Sequence, residues 1–311
     1  MPRRLHTRLL ALVVFVSLAM AASARAGELG IHTRDGVRTA IVLPASQAPA
    51  PTAIVLHGAI NSPAWTARIS GFTEAAQSGG FTAVFPKGAG LTWSDGRQWE
   101  KVDDVGFLRG LVAELIRRGI ADPDRIYIAG ISNGGMMALR MLCEASELFA
   151  GVGTVIASMP AAIGRNCHPG RAVSIVMVNG TADALIPYDG GWVGPLGVGG
   201  VVWGAEQTAA YLARLNGCGR AIRKHVSNET VLDLASVTRI AWASCAPGAG
   251  VTLYRVNGGG HQIFGRRSYF SALFGNGHPK ISAAEVIMAK FAEDAQRQGT
   301  RADVRGKPRG L

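Results

Sequence analysis

Short apolar segments alternate with amphipathic helical patterns along most of the chain, and this alternation limits the fold more than any other feature. The apolar segments are rich in β-branched residues and end near glycine, proline or histidine, as buried parallel strands do. Strands that alternate with helices form a mainly parallel sheet with helices on both faces. We therefore predict one α/β domain over residues 27–296, with strands at 39–43, 52–56, 81–85, 125–129, 173–178 and 251–256.

Several further stretches carry apolar residues at the spacing of one helix face. Between residues 103 and 118, for example, Val105, Leu108 and Val112 recur at this spacing. Ser282 and Glu285 stand at the spacing of a capping box, which marks the start of a helix. We therefore predict helices at 103–118, 134–145 and 205–215, and a last helix from residue 282 to residue 291.

Two stretches interrupt the alternation. Residues 190–204 are rich in glycine and contain Trp192, and residues 92–99 contain Trp93 and Trp99. A long loop inside a compact domain is commonly functional, although a surface loop with half-buried tryptophans fits each stretch equally well. Both stretches are candidates for the lining of a cleft.

The first 26 residues have the pattern of a cleaved signal peptide. Arginines near the start precede an apolar stretch at 9–22, which is followed by the small-residue cleavage site Ala24-Arg25-Ala26. The apolar stretch is shorter than the about 20 residues of a membrane anchor. We expect cleavage before Gly27, secretion or a periplasmic location, and no stable membrane span in the mature protein.

The positive charge is concentrated at the two ends of the chain. Of a formal net charge of +11, residues 1–26 carry +4 and residues 297–311 carry another +4, which leaves +3 for the body. A nucleic-acid-binding surface needs clustered lysine and arginine, so we expect no nucleic acid partner. We expect residues 297–311 to be a disordered basic tail, and the sequence leaves the oligomeric state open.

Four cysteines are present: Cys143, Cys167, Cys218 and Cys245. In an oxidising compartment an even set can form disulfides, and three connectivities are possible. Pairing of sequence neighbours would close loops of about 25 residues, each worth on the order of 3 kcal/mol of unfolding free energy. Because the chain has no Cys-x-x-Cys spacing and no cluster with metal-ligand spacing, we expect no metal and no other cofactor.

Gly130-Ile131-Ser132-Asn133-Gly134 has the form Gly-x-Ser-x-Gly, which is a weak signal by itself. Here it directly follows one predicted strand and directly precedes a predicted helix. A strand–turn–helix of this kind is a nucleophile elbow, which exposes the serine hydroxyl above the sheet and admits only small residues at its flanks. We therefore predict that Ser132 is a nucleophile.

A serine hydroxyl becomes a nucleophile when a histidine takes its proton and a carboxylate orients that histidine. Where the elbow occurs, the acid and then the histidine follow the serine along the chain. Asp183 and His261 each follow the end of a predicted strand, at the edge of the sheet where active sites lie. Asp189 is the alternative acid and His278 is the alternative base, but no predicted strand leads into His278.

The oxyanion of a tetrahedral intermediate needs backbone N–H donors. The N–H of Asn133 stands at the start of a helix, where backbone N–H groups have no partner within the helix. The loop after the strand at 52–56 supplies the second donor, for which we choose the N–H of Ala59. We expect His57, in the same loop, to brace the loop rather than transfer a proton.

A longer series of segments supports these assignments. It comprises Leu56-His57-Gly58, residues 103–108, residues 122–127, residues 130–138, Gly180-Thr181-Ala182-Asp183, Asn216-Gly217-Cys218 and Gly259-Gly260-His261. In content and order, these segments resemble the secreted polyhydroxybutyrate depolymerase and feruloyl esterase family of α/β-hydrolases. The resemblance implies an α/β-hydrolase fold, a catalytic triad of Ser132, Asp183 and His261, and the disulfides Cys143–Cys167 and Cys218–Cys245.

Three positions depart from the pattern of that family. Gln262-Ile263-Phe264-Gly265 stands where the family continues from its histidine with Trp-Pro-Gly. Ala59-Ile60-Asn61 replaces a loop that often has a cysteine and more glycine, and Asn179 replaces a usual histidine. Because these changes spare the triad but alter the pocket, they leave the substrate open. The candidates for its lining are Trp192, Trp99, Ile263 and Phe264.

The resemblance implies an exported serine ester hydrolase that cleaves hydroxyalkanoate or related esters through an acyl-enzyme on Ser132. Feruloyl or acetyl esters of plant polysaccharide are the alternative substrates. A peptidase on the same fold and a non-catalytic exported ligand-binding protein are alternatives from other classes. A non-catalytic relative is expected to lack a triad residue, and all three residues are present here.

Overall fold

The computed structural model describes residues 27–97, 102–194, 199–226, 236–266, 275, 277 and 281–306, with residues 301–306 in backbone only. The predicted signal peptide at 1–26, Trp99 and His278 lie outside the described residues. The strands are β1 Gly27–Thr33, β2 Gly36–Leu43, β3 Ala50–Leu56, β4 Thr82–Pro86, β5 Ala121–Ile131, β6 Gly151–Val155, β7 Ser174–Gly180, β8 Gly190–Trp192, β9 Val201–Trp203, β10 Ala221–His225, β11 Val237–Trp242 and β12 Gly250–Val256. The α-helices are α1 Pro63–Ile69, α2 Phe72–Ser78, α3 Asp104–Arg117, α4 Asn133–Ala145, α5 Ala161–Arg165, α6 Ala205–Leu215 and α7 Ala283–Gly306.

One sheet of ten strands forms the centre of the molecule, in the order β1-β2-β4-β3-β5-β6-β7-β12-β11-β10. The strands from β4 to β12 in this order run parallel to their neighbours, and both edges of the sheet are antiparallel. β8 and β9 form a separate two-stranded hairpin. The predicted mainly parallel sheet is therefore confirmed.

Helices cover both faces of this sheet, as predicted. α3, α4 and α6 bury side chains such as Leu108, Met137 and Ala209 in one apolar core. α2 and α7 bury Phe72 and Phe291, among others, in a second core on the opposite face. The predicted helices at 103–118, 134–145 and 205–215 correspond to α3, α4 and α6.

The prediction of a parallel strand at 39–43 is wrong in direction. This segment belongs to β2, which is antiparallel to both β1 and β4. A short turn between Thr33 and Gly36 joins β1 to β2, and such turns connect antiparallel strands. Side chains of β2 alternate between partly and fully buried positions near its end, as in a strand with one solvated face.

β6 is a central strand that the sequence pattern did not reveal, because Gly151 and Gly153 lower the strand propensity of this segment. The fold requires both glycines. A Cβ at Gly151 would lie 3.1 Å from the Phe291 ring, and one at Gly153 would lie 2.5 Å from Ile287. The missing side chains let α7 pack directly on the centre of the sheet.

The last helix is longer than predicted. Ser282 Oγ accepts from the N–H of Glu285, as the capping signal indicates, but α7 continues to Gly306 rather than ending at residue 291. Residues 297–306, predicted to be part of a disordered tail, are thus helical, as the continuation of a helix whose earlier turns pack on the sheet. Residues 307–311 lie outside the described residues. No helix in the described part of the chain combines the length and apolar character needed to cross a membrane.

All four cysteines form disulfides, in the pairing that the resemblance implies. Cys143 in α4 pairs with Cys167, just after α5, and Cys218, just after α6, pairs with Cys245. Each bridge fixes the end of a helix that packs on the same face of the sheet.

We predict that Phe291→Ala destabilises the fold strongly. Phe291 is fully buried and stacks on Tyr127 of β5, with ring centroids 4.6 Å apart. Truncation leaves a cavity over the glycine-rich β6, so the free energy of unfolding should fall by about 3–5 kcal/mol in urea denaturation followed by circular dichroism. Ile116→Ala in α3, where the side chain is 37% exposed, is the control and should cost less than about 1 kcal/mol. Equal losses would contradict this assignment of the core.

Candidate active site

Three loops meet at the edge of the sheet where the parallel strands end. Ser132 follows β5, Asp183 follows β7 and His261 follows β12. β7 lies beside β12 and is separated from β5 by β6 alone, so the carboxyl ends of these strands are close in space. The topology therefore brings together three residues that are far apart in sequence.

Ser132 has a backbone conformation that few side chains adopt, with φ 55° and ψ −121°. Glycine is required on both sides of it. A Cβ at Gly130 would lie 2.1 Å from the Gly134 carbonyl oxygen, and a Cβ at Gly134 would lie 2.4 Å from the His57 carbonyl oxygen. This close approach explains the Gly-x-Ser-x-Gly spacing and gives the strained elbow that presents Ser132 above the sheet.

The three side chains form a continuous series of hydrogen bonds. His261 Nδ1 lies 2.8 Å from Asp183 Oδ2, and His261 Nε2 lies 3.0 Å from Ser132 Oγ. A carboxylate only accepts hydrogen bonds, so Nδ1 carries the proton and the Nε2 lone pair faces the serine hydroxyl. This is the orientation in which imidazole can take a proton from Ser132.

Asp183 is held in place by its own backbone surroundings. Its Oδ1 accepts the N–H groups of Leu185 (2.9 Å) and Ile186 (2.8 Å), and its side chain is 2% exposed. The alternative acid, Asp189, instead lines a separate polar cavity with Tyr188. The structure therefore places Asp183, and not Asp189, against His261.

The two backbone donors predicted for the oxyanion flank Ser132. Ala59 and Asn133 both line the cavity that contains the Ser132 hydroxyl. Neither N–H donates to an acceptor within the described residues, so both are available to a ligand. The N–H of Asn133 also lies at the first position of α4, where the helix dipole favours negative charge.

His57 braces the loop that carries Ala59. Its Nδ1 donates to the Gly58 carbonyl oxygen (2.8 Å), and its Nε2 accepts from the N–H of Gly88 (2.9 Å). Burial lowers the pKa of His57, and a neutral ring is what these two contacts need. Both ring nitrogens of His57 are thus used by backbone groups of loops, so the predicted bracing role fits its position.

The side chain of Asn133 has a structural role that the sequence did not reveal. Its Oδ1 accepts from Thr92 Oγ1 (3.0 Å) and from the N–H of Trp93 (2.7 Å). Its Nδ2 donates to the Trp93 carbonyl oxygen (2.9 Å) and to Asp95 Oδ2 (2.6 Å). All four hydrogen-bonding positions of the amide are thus used to join the elbow to residues 92–95.

A cavity of about 400 Å³ opens beside Ser132. Part of its lining is apolar and part is polar, with charged side chains; these parts are called the apolar wall and the polar wall. The apolar wall consists of Met136, Leu185, Ile186 and Val193, and the polar wall consists of Thr92, Ser94, Asp95 and Arg97.

The candidates for the substrate lining are mostly not found in this cavity. Phe264 is 1% exposed and packs with Ile263 in the apolar core beneath the His261 loop. Trp192 is 64% exposed on β8 and does not line the cavity. Ile263, Phe264 and Trp192 are therefore not among the described residues that line this cavity, and a contact of these three residues with substrate stays a prediction. Trp99 lies outside the described residues.

The described residues contain no group of three or more His, Cys, Asp or Glu side chains that could hold a metal ion. The chemistry available at this site is that of a hydroxyl, an oriented imidazole, a carboxylate and two backbone N–H donors. These groups together suit acyl transfer.

Sequence comparisons agree with this geometry. Residues 86–160, which include the elbow, match the profile of the prolyl oligopeptidase family. The chain is 29% identical over 251 residues to a protein named esterase NocK of Nocardia uniformis subsp. tsuyamanensis, across 76% of this chain and 73% of the relative.

Two further relatives match over shorter parts of their length. Feruloyl esterase B of Piromyces equi is 29% identical over 220 residues, which cover 68% of this chain and 39% of that protein. Poly(3-hydroxybutyrate) depolymerase of Ralstonia pickettii is 29% identical over 131 residues, which cover 35% of this chain and 27% of that protein.

The fold also has a solved counterpart. An acetyl xylan esterase from Aspergillus awamori superimposes with a TM-score of 0.56 at 14% sequence identity, over 76% of this chain and 94% of that one. The chain therefore has the α/β-hydrolase fold. It is an enzyme related in sequence to carboxylic ester hydrolases, in agreement with the resemblance seen in the sequence.

We predict that His57 makes stability depend on pH below its ordinary pKa of 6.5. Because burial lowers this pKa, the unfolded chain binds more protons than the fold once the pH drops below about 6.5. The free energy of unfolding should therefore fall as the pH decreases from about 6.5 through the pKa in the fold, by at most about 1.4 kcal/mol per pH unit. Urea denaturation at a series of pH values between about 8 and 5 measures this slope.

His57→Gln removes the titrating group, so it should lower stability at every pH but make the loss below pH 6.5 smaller. His32→Gln, at an exposed position of β1, is the matched control and should keep the slope of the parent protein. A slope in His57→Gln as steep as that of the parent protein would refute the prediction.

Proposed function

We propose that this protein is an exported serine ester hydrolase that works through an acyl-enzyme on Ser132. The observation that carries the proposal is the series of hydrogen bonds from Asp183 through His261 to Ser132, placed beside a cavity with two unoccupied N–H donors. The relatives named above, which are esterases or a depolymerase of a polyester, support the same reaction type.

In the first half of the reaction, Ser132 Oγ attacks the carbonyl carbon of an ester. His261 Nε2 takes the hydroxyl proton as a general base, and Asp183 holds the ring and stabilises its protonated form. The carbonyl oxygen becomes an oxyanion, which accepts the N–H groups of Ala59 and Asn133. Removal of one such donor typically costs about 3–4 kcal/mol of transition-state stabilisation.

In the second half, His261 returns its proton to the leaving alcohol, and the C–O bond of the ester breaks. Water then enters beside His261, which takes a proton from it, and the resulting hydroxide attacks the acyl carbon on Ser132. A second oxyanion forms at the same donors. As it collapses, the bond from Ser132 Oγ to the acyl carbon breaks and His261 returns its proton to Oγ, which releases the acid and restores the Ser132 hydroxyl.

For the substrate we propose a hydroxyalkanoate or related ester, as the resemblance to polyhydroxybutyrate depolymerases implies. Feruloyl or acetyl esters of plant polysaccharide are the second candidate, favoured by the longer match to feruloyl esterase B. Release of hydroxybutyrate from hydroxybutyrate oligomers, compared with release of ferulate from methyl ferulate, distinguishes the two. The kcat/KM for the preferred substrate should exceed the kcat/KM for the other substrate at least about tenfold.

The same proposal places the protein outside the cytoplasm. The signal-peptide pattern at 1–26 predicts export, and the two disulfides support it because disulfides persist in oxidising compartments. N-terminal sequencing of the protein recovered from the periplasm or the medium would identify the cleavage point, which we place before Gly27.

We predict that Ser132→Ala abolishes ester hydrolysis, because it removes the nucleophile and leaves the fold intact. The kcat for p-nitrophenyl acetate should fall by a factor of about 10⁴ or more. Asp183→Asn leaves His261 without its orienting charge, so the kcat of this variant should also fall, by a factor on the order of 10⁴. Stopped-time assays of the purified proteins give both values.

A fluorophosphonate probe provides the direct test, since it reacts only with an activated serine. Mass spectrometry should find the label on the peptide that contains Ser132, and none in Ser132→Ala. Ser78→Ala, an exposed serine at the end of α2, is the control and should label and hydrolyse like the parent protein. A folded parent protein without label would instead favour the non-catalytic ligand-binding alternative.

A further inference from the structure

A buried ion pair lies in the polar wall of the cavity, where the proposed mechanism does not use it. Asp95 is 3% exposed, and the Arg97 side chain is 10% exposed. Arg97 Nε lies 3.0 Å and 2.9 Å from the two Asp95 oxygens, and its terminal nitrogen Nη2 lies 2.7 Å from Oδ2. Removing two charges from water costs free energy, so an ion pair buried this deeply calls for a functional or structural explanation.

One contact of this pair leads to the proposed oxyanion site. Asp95 Oδ2 accepts from Nδ2 of Asn133 at 2.6 Å, the shortest of the four hydrogen bonds of that amide. Because the Asn133 side chain is held at every polar position, rotation of this residue at the start of α4 is restricted. The tether therefore also limits movement of its backbone N–H, which has no acceptor within the described residues, in a residue that lines the cavity.

The other contact of the pair leads to described residues between β8 and β9. Arg97 Nη1 donates to the Gly199 carbonyl oxygen at 2.8 Å. Gly200 packs so closely that a Cβ there would lie 2.9 Å from the Arg97 Cβ. Gly199 and Val193 both line the cavity and hydrogen-bond to each other through their backbones. Arg97 thus holds Gly199, and through it Val193, in the lining of the cavity.

The turn between the two charged residues requires glycine at its centre. Gly96 has φ +87°, and a Cβ there would lie 2.3 Å from the Ile163 side chain. Only glycine fits this position without a shift of α5. The backbone therefore presents Asp95 and Arg97 side by side, with their side chains directed to Asn133 and to Gly199.

We propose that Asp95 and Arg97 are positioning residues, which fix the Asn133 N–H as an oxyanion donor and hold Gly199 and Val193 in the lining of the cavity. The inference rests on the proposed function, because the Asn133 N–H is an oxyanion donor only if that reaction takes place. An oxyanion donor is effective only when it is preorganised, so a loosened Asn133 lowers the rate of the chemical step rather than substrate binding.

Asp95→Asn is the informative substitution. An asparagine keeps the size of the side chain but has one acceptor oxygen in place of two, and its NH₂ group faces the donors of Arg97. Its oxygen can replace Asp95 Oδ2, but its NH₂ group then meets the backbone N–H and Nε of Arg97, which donate to Oδ1 in the parent protein, so the contacts with Arg97 and Asn133 cannot all be kept. Asp103→Asn is the matched control, because it makes the same charge change at the exposed start of α3, where asparagine caps a helix as well as aspartate does.

The experiment measures kcat and KM for p-nitrophenyl acetate, together with the Kd of an alkylboronic acid that forms a tetrahedral adduct with an activated serine. In Asp95→Asn, kcat should fall about 10-fold to 100-fold, the Kd of the boronic acid should rise in parallel, and KM should change less than about threefold. Asp103→Asn should retain the values of the parent protein. Unchanged kcat in folded Asp95→Asn would overturn the inference.

A double-mutant cycle tests whether Asp95 acts through Asn133. Asn133→Ala removes the side-chain tether but keeps the backbone N–H. If the tether is the route, the double variant Asp95→Asn/Asn133→Ala should lose no more than the worse single variant. Additive losses would overturn the positioning role. Arg97→Lys, which keeps the charge but not the forked contacts, should give an intermediate kcat and serves if Asp95→Asn does not fold.

A nuclear magnetic resonance readout separates this inference from the proposed function. The backbone amide signal of Asn133 should shift in Asp95→Asn and stay in place in Asp103→Asn, whether or not Ser132 is the nucleophile. If Ser132→Ala still hydrolysed esters, the proposed function would fail, and this signal would still report whether Asp95 holds Asn133. An unmoved signal in Asp95→Asn would overturn the inference on its own.

Discussion

The strained backbone at Ser132 is the constraint on which the rest of the site depends. A non-glycine residue at φ 55° persists only when its surroundings hold it, and here the central sheet does so. The Ser132 N–H donates to the Val155 carbonyl oxygen at the end of β6 (2.9 Å), and the Ser132 carbonyl oxygen accepts the N–H of Met136 in the first turn of α4 (3.0 Å). The elbow is therefore tied to a buried strand on one side and to a buried helix on the other, so the energy that sustains it comes from the core.

Backbone contacts likewise hold Asp183 and His261, because the loops that carry these two residues are hydrogen-bonded to each other. The N–H of Ala182 donates to the Gly259 carbonyl oxygen (2.9 Å), and Thr181 Oγ1 accepts from the N–H of Gly258 (2.9 Å). A Cβ at Gly180 would lie 2.1 Å from the Gly259 carbonyl oxygen, so the two loops meet without side chains between them. The distance from Asp183 to His261 is thus set by backbone contacts. Phe264, buried under Gly259, supports this arrangement from below.

Sequence reasoning reached the parts of this structure that depend on local order along the chain. The elbow around Ser132 and the order of Asp183 and His261 could be predicted because each motif stands beside its own strand. The direction of β2, the strand β6 with its glycines, and the length of α7 depend on packing partners elsewhere in the sequence. The link from Asp95 to Asn133 joins residues 38 positions apart, and the link from Arg97 to Gly199 joins residues 102 apart. The described parts of the stretches 92–99 and 190–204 do line the cavity, as expected from their interruption of the alternation. The contacts that hold them there could not be predicted, because no periodicity or spacing rule reports them.

The pairing of Asp95 with Arg97 also affects which acyl groups the cavity can accept. Each charge in this wall is neutralised by the other, so neither is free to bind an ionised substrate group without breaking a buried pair. The rest of the described lining includes the apolar side chains of Met136 and Ile186. In such surroundings a buried charge would have no partner, so the lining suits an uncharged group better than an ionised one. Since Arg97 hydrogen-bonds to Gly199, and Gly199 to Val193, the pair that neutralises itself also holds two other residues of the lining in place.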